Sequence, residues 1–129
     1  MTDAETMRNV ALRYFACLDA EDWSQMAELW TPDGRLRAVG ARARDGRDEV
    51  LSYFSKLFSP WPAHEDRPTR LIVAEADQTL VAEVTFTGTT PGGRRVRFEA
   101  VDVFDFRDGL IERLTNWYDV AYARKALAA

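Results

Sequence analysis

The 129-residue sequence contains one cysteine, Cys17, so it can close no internal disulfide and build no cysteine-based zinc cage. A single histidine, His64, likewise excludes the His-rich metal sites, and neither a metal nor a cofactor is expected. Lysine is scarce, two against fifteen arginines, and the 17 basic residues fall short of the 21 acidic ones, leaving a net charge of −4. That balance argues against a nucleic-acid partner, which needs a basic footprint. No apolar run nears the roughly 20 residues of a membrane span, and the opening residues lack the basic-then-apolar form of a secretory signal. The expectation is a cytoplasmic protein with no membrane partner. Repeats, linkers and low-complexity tracts are missing too, so residues 1–129 read as one domain.

What is present is a globular composition, 47% hydrophobic and 29% charged, with seven Phe, four Trp and four Tyr to build a core. Thr2-Asp3-Ala4-Glu5 has the form of a capping box. Met7, Val10, Ala11, Tyr14, Phe15 and Leu18 then recur at the spacing of one helical face. A second short helix is expected after Asp22, closed by the turn chemistry of Thr31-Pro32-Asp33-Gly34. Arg35–Val39 alternates like a short strand, and Val50, Leu51, Phe54, Leu57 and Phe58 mark a third helix after Gly46. Pro60, Pro62 and Pro68 predict an irregular loop over 59–68.

The second half changes period. Residues 70–75, 80–88, 95–106 and 110–122 alternate with period two and are rich in Val, Thr, Phe and Trp. Thr90-Pro91-Gly92-Gly93 and Arg107-Asp108-Gly109 are hairpin turns, too short for helical crossovers. The fold class is α+β: three N-terminal helices packed on a curved antiparallel sheet, mixed at most at its edge.

Alternation singles out one acid. Val96, Phe98, Ala100, Asp102, Phe104 and Phe106 share a face that is apolar except for Asp102. A carboxyl among Phe side chains loses hydration, which raises its pKa, and such burial marks either a functional group or an acid with a structural partner. On the next strand Leu114, Asn116, Tyr118, Val120 and Tyr122 share a face, where Asn116 and Tyr118 supply hydrogen-bonding groups to a pocket or to a subunit contact.

Arg13-Tyr14-Phe15-Ala16-Cys17-Leu18-Asp19-Ala20-Glu21-Asp22-Trp23 and Ala27-Glu28-Leu29-Trp30-Thr31-Pro32-Asp33-Gly34 resemble the opening of the ketosteroid isomerase family. Asp105-Phe106-Arg107-Asp108-Gly109-Leu110-Ile111-Glu112 is similar to the last hairpin of SnoaL-like polyketide cyclases and limonene epoxide hydrolases. The resemblance implies the cone-shaped fold of nuclear transport factor two, enclosing an apolar pocket. Its walls would be Trp30, Ala38, Phe54, Phe58, Trp61, Phe86, Phe98, Phe104, Asn116 and Tyr118.

Ketosteroid isomerases form an oxyanion hole from a helix tyrosine and a protonated aspartate. By position the resemblance assigns these roles to Tyr14 and Asp102, while Ala38 stands where that family keeps its general base. An alanine accepts no proton, so the base must come from elsewhere if ordinary isomerisation chemistry operates. The charged residues of the epoxide hydrolases are matched by Val84, Phe86 and Asn116, which removes that activity. His64, Glu65 and Asp66 in the proline-bounded segment are the replacement bases nearest in sequence, His64 foremost because imidazole titrates near neutrality; a solvated surface loop is the plainer reading. The arginines at 35, 37, 42, 44 and 47 read as a solvated or interface face, and Cys17 as a small core residue.

The expected function is an isomerase or cyclase acting on a small hydrophobic carbonyl- or hydroxyl-bearing molecule such as a polyketide, terpenoid or steroid-like compound. The alternative is a non-catalytic ligand-binding or dimerisation protein of the same fold. Val101, Val103 and Trp117 on the outer sheet face predict a homodimer.

Overall fold

The computed structural model describes residues 1–128. Its elements in chain order are α1 (Ala4–Ala20), α2 (Trp23–Ala27), β1 (Trp30–Ala38), β2 (Arg44–Asp45), α3 (Arg47–Phe58), β3 (Ala63–Ala74), β4 (Thr79–Thr89), β5 (Arg95–Arg107), β6 (Leu110–Tyr118) and α4 (Val120–Ala128), with a single 3-10 turn at Glu75–Asp77. The strands form one sheet in the order β2-β1-β6-β5-β4-β3. All neighbours run antiparallel except β1 and β6, which are parallel. Helices packed on a mixed, unclosed sheet give the expected α+β cone. No helix among the described residues is long and apolar enough to cross a membrane.

Helix α1 buries Met7, Ala11, Tyr14, Phe15, Cys17 and Leu18, the stripe its period predicts. Its cap is Asp3 rather than Thr2: the Asp3 carboxylate accepts the Thr6 N–H at 2.8 Å. At the other end Glu21 takes a left-handed conformation (φ 53°), unusual for a residue with a Cβ. The core between helices and sheet centres on Trp30, Phe104, Met7, Leu18, Met26, Leu29 and Leu114, all fully buried.

Three expectations fail in instructive ways. Thr31–Gly34 does not close a helix; it bulges within β1, whose register against β6 shifts between Trp30 and Arg35. Gly34 permits this, since a Cβ there would stand 2.7 Å from the Trp30 ring. Segment 59–68 is not a loop throughout, because β3 begins at Ala63 and runs through Pro68. β3 is the last strand of the sheet, so a proline there removes no hydrogen bond from an outer neighbour, and the register shifts beside it between Pro68 and Arg70. The final strand stops at Tyr118, not Tyr122. Asp119 then accepts the Tyr122 N–H at 2.9 Å and starts α4, so Val120 and Tyr122 do not continue the strand face.

Candidate functional site

A cavity of about 160 Å³ opens between α1, α3 and the concave face of the sheet. Every strand but β2 contributes through strand alternation: Leu36 and Ala38 from β1, Asp66 from β3, Phe86 from β4, Phe98, Ala100 and Asp102 from β5, and Leu114, Asn116 and Tyr118 from β6. The helices add Tyr14 and Leu18 from α1, Tyr53, Phe54, Leu57 and Phe58 from α3, and Leu127 from α4, with Trp61 ahead of β3.

Asp102 lies opposite Asn116 in the β5–β6 register, and the Asn116 amide donates to its Oδ1 at 2.6 Å. The residue is 3% exposed. Burial raises its pKa to about 6, and the Asn116 hydrogen bond holds back a larger rise by favouring the charged form. Asp66 is raised well above the ordinary carboxylate value, first by burial and then by the negative charges of Asp102, Asp19 and Glu65. Its Oδ1 is sealed from solvent and has no hydrogen-bond partner. Its backbone N–H donates to Asp19 Oδ1 at 2.8 Å, which fastens β3 to the end of α1.

Tyr14 is buried, and burial followed by the Asp102 charge pushes its phenol well above the usual range. Its ring meets Phe104 edge-on at 5.2 Å and Phe54 at 6.1 Å, with Trp30 tilted against it at 6.4 Å. This packing corrects two expected wall residues. Trp30 and Phe104 do not line the cavity; they are fully buried behind Tyr14 and hold its ring in place.

His64 is not a cavity group either. Its ring stacks on Phe58 at 4.2 Å, and its Nε2 lies 3.1 Å from Glu21 Oε2. The left-handed turn at Glu21 is where that carboxylate originates, so the unusual backbone and the buried histidine belong to one tie between α1 and β3. Ala38, Phe54, Phe58, Trp61, Phe86, Phe98, Asn116 and Tyr118 all line the cavity. Trp61 also packs on Gly88, where a Cβ would come within 2.9 Å of its ring.

Asp66 was only one of three loop candidates in the sequence, and Tyr53 was not singled out at all. Reading 63–74 as a strand would have put His64 and Asp66 on one face. Helical spacing from Val50 through Phe54 to Leu57 would have brought in Tyr53, whose pKa burial raises and whose ring carries the Arg44 guanidinium at 4.6 Å. Among the described residues no three His, Cys, Asp or Glu side chains gather as a metal site. The cavity is thus an apolar, aromatic-walled space with two carboxyls, three phenols and a carboxamide. Such a set can donate, accept and relay protons.

Comparison with known proteins agrees with this architecture. A protein from Xanthomonas campestris pv. campestris assigned as a polyketide cyclase superposes with a TM-score of 0.89 at 17% identity, covering 98% of this chain and 99% of that one. A protein from Jannaschia sp. CCS1, assigned as a SnoaL-like polyketide cyclase, gives 0.86 at 20% identity over 100% and 99% of the two chains. An LEH-like epoxide hydrolase from M. tuberculosis gives 0.83 at 19% identity over 96% and 90%. No curated protein shows significant sequence similarity to the chain. The SnoaL-like domain profile matches residues 11–114, and by that match the chain belongs to the SnoaL-like domain family.

Proposed function

We propose that this SnoaL-like protein is an acid–base enzyme, an isomerase or cyclase, that moves a proton within a small, mainly apolar molecule bearing a carbonyl or hydroxyl group. The observation that carries the reading is the presence of two carboxyls, the buried Asp102 and the half-buried Asp66 with its sealed Oδ1, on one aromatic-walled cavity with no basic lining residue. Two acids that repel each other in a low-dielectric space do not both ionise near neutral pH. The Asn116 amide favours the carboxylate form of Asp102, and Asp66 has no such donor. Asp102 is therefore the proton acceptor and Asp66 the proton donor, roles set by environment. This reverses the donor role that the ketosteroid isomerase resemblance implies for Asp102.

In the proposed step Asp102 removes a proton from carbon beside the carbonyl, and the electron pair moves onto oxygen. Tyr14, kept a phenol by burial, donates a hydrogen bond to that oxygen. Asp66 then delivers its proton to the far carbon or to a departing hydroxyl as the electron pair returns. Solvent exchange at the mouth restores the starting pair. The polyketide cyclases and epoxide hydrolase among the structural neighbours support a family of small-molecule catalysts. Epoxide opening is not proposed, because Val84, Phe86 and Asn116 supply no charge for activating water.

The test follows hydrogen exchange into small cyclic enones and hydroxyketones in D₂O. Wild-type protein should catalyse it, and Asp102→Asn and Asp66→Asn should each slow it by roughly 10²-fold or more with KM little changed. A protein that binds these compounds without exchanging a proton is a binding protein, and the catalytic reading then fails.

A further inference from the structure

The charges around the cavity do not balance. Fifteen arginines decorate the chain, and exposed acids find them: Arg107 lies 2.7 Å from Asp33, and Arg70 lies 3.1 Å from Glu83. Inside the cavity two carboxyls face no Lys, Arg or His. Asp66 Oδ1 is sealed off without a donor, and the charges acting on Asp66, those of Asp102, Asp19 and Glu65, are all negative. A buried carboxylate lacking a cation is costly, and the cost disappears when a cation arrives with the ligand. The rest of the wall suits such a ligand, since eight of the eighteen lining residues are aromatic and ring faces attract cations. At about 160 Å³ the space matches a compact group, close in scale to a cavity that holds a single benzene.

We propose that the cavity is also a binding site for a small organic ammonium ion, held by the Asp66 and Asp102 carboxyls and the aromatic rings around them. The site excludes carboxylates and phosphates of the same size, which meet only like charge. It prefers methylated ammonium groups to ammonium itself, because the methyls fill apolar space that a hydrated ion leaves wet. This goes beyond the proton-transfer reading and does not depend on turnover.

Calorimetry on the full chain tests it with choline and with its uncharged analogue, in which a tert-butyl group replaces trimethylammonium. The two probes share shape and differ in charge. At about pH 8 choline should bind about tenfold or more tightly than the analogue, and the advantage should vanish near pH 4, where both carboxyls are protonated. The double variant Asp66→Asn/Asp102→Asn should still bind the analogue, showing an intact cavity, and should bind choline no better. Equal affinities in the wild type at the higher pH overturn the proposal, as does failure of both probes to bind at millimolar concentration. A choline preference that survives the double variant also overturns it, since the cation then sits elsewhere. If the double variant does not fold, the pH dependence in wild-type protein decides alone. None of these outcomes bears on hydrogen exchange in D₂O, so the two readings stand or fall separately.

Discussion

Asn116 and Asp102 occupy paired positions on neighbouring strands, and the amide of one hydrogen-bonds the carboxyl of the other at 2.6 Å. That bond is one difference between Asp102 and Asp66, whose Oδ1 has no donor and which also feels the negative charges of Asp102, Asp19 and Glu65. Replacing Asn116 with Leu should therefore raise the Asp102 pKa further. A hydrogen bond to a charged group, worth about 1.5–3 kcal/mol, corresponds to roughly one to two pH units. Carbon NMR of the aspartate carboxyls checks this, and an unmoved Asp102 titration would show that burial alone sets its value.

Burial of Asp102 contributes stability in acid that is lost toward base. Its pKa is raised to about 6 in the fold, so the folded state holds the proton more tightly than the unfolded chain. Its contribution to stability is full below the unfolded value near 4 and is lost as pH rises through about 6. The loss is on the order of 3 kcal/mol. Asp102→Asn should consequently stabilise the protein in urea at about pH 8 and do little near pH 4. Equal effects at both pH values would contradict the assignment.

His64 and Glu21 tie α1 to β3 away from the cavity. His64→Ala leaves the Glu21 carboxylate without its partner and uncovers Phe58, and should cost about 1–3 kcal/mol of stability. The pH profile of hydrogen exchange should keep its shape. A shifted profile would return His64 to the proton path.

Gly88 gives Trp61 its seat. Gly88→Ala should push the half-exposed indole outward, red-shift part of the tryptophan emission and weaken binding of apolar ligands several-fold, and it should also lower stability, since the new methyl stands 3.0 Å from the Ala63 backbone carbonyl. Unchanged emission and affinity would place the alanine methyl in space the ring does not need.

A homodimer through the outer face of the sheet is also expected. Val101 and Trp117 are directly paired there, 36% and 44% exposed, and Ile72 at the far strand is 44% exposed. Sedimentation at micromolar concentration should give a dimer that Trp117→Glu dissociates. A monomeric wild type would assign Trp117 to its stacking with Arg37, 5.5 Å away.

The sequence was most legible where period and burial coincide. The α1 stripe gave the buried face of that helix and alternation gave Asp102 on the apolar face of β5, while only the family resemblance brought Tyr14 and Asp102 together. It was least legible where one residue type has two meanings. Pro68 reads as a breaker, yet on the last strand of a sheet it is tolerated, and this hid Asp66 within a supposed loop. Asp119 reads as one more polar strand residue, yet it caps a helix whose Leu127 returns to the cavity. Trp30 and Phe104 are aromatic like the wall, and only tertiary packing shows that they stand behind Tyr14. The β1–β6 pairing left no local trace, since partners roughly eighty residues apart share no sequence pattern.

That pairing sets a timetable for synthesis. Ala38 can find Asn116, and Leu36 can find Leu114, only after the whole of β6 has left the ribosome. Until then β1 lacks the parallel strand it pairs with, and Trp30 and Leu36 stand without Ile111 and Leu114, although α1 can already rest on β3. Contacts of such long sequence separation form slowly and leave apolar surface open to aggregation meanwhile. The β3–β4–β5 meander is complete some residues earlier and supplies the template on which β6 docks. The cavity is therefore completed late, when the last strand brings Asn116 to Asp102 and joins β1 to the rest of the sheet.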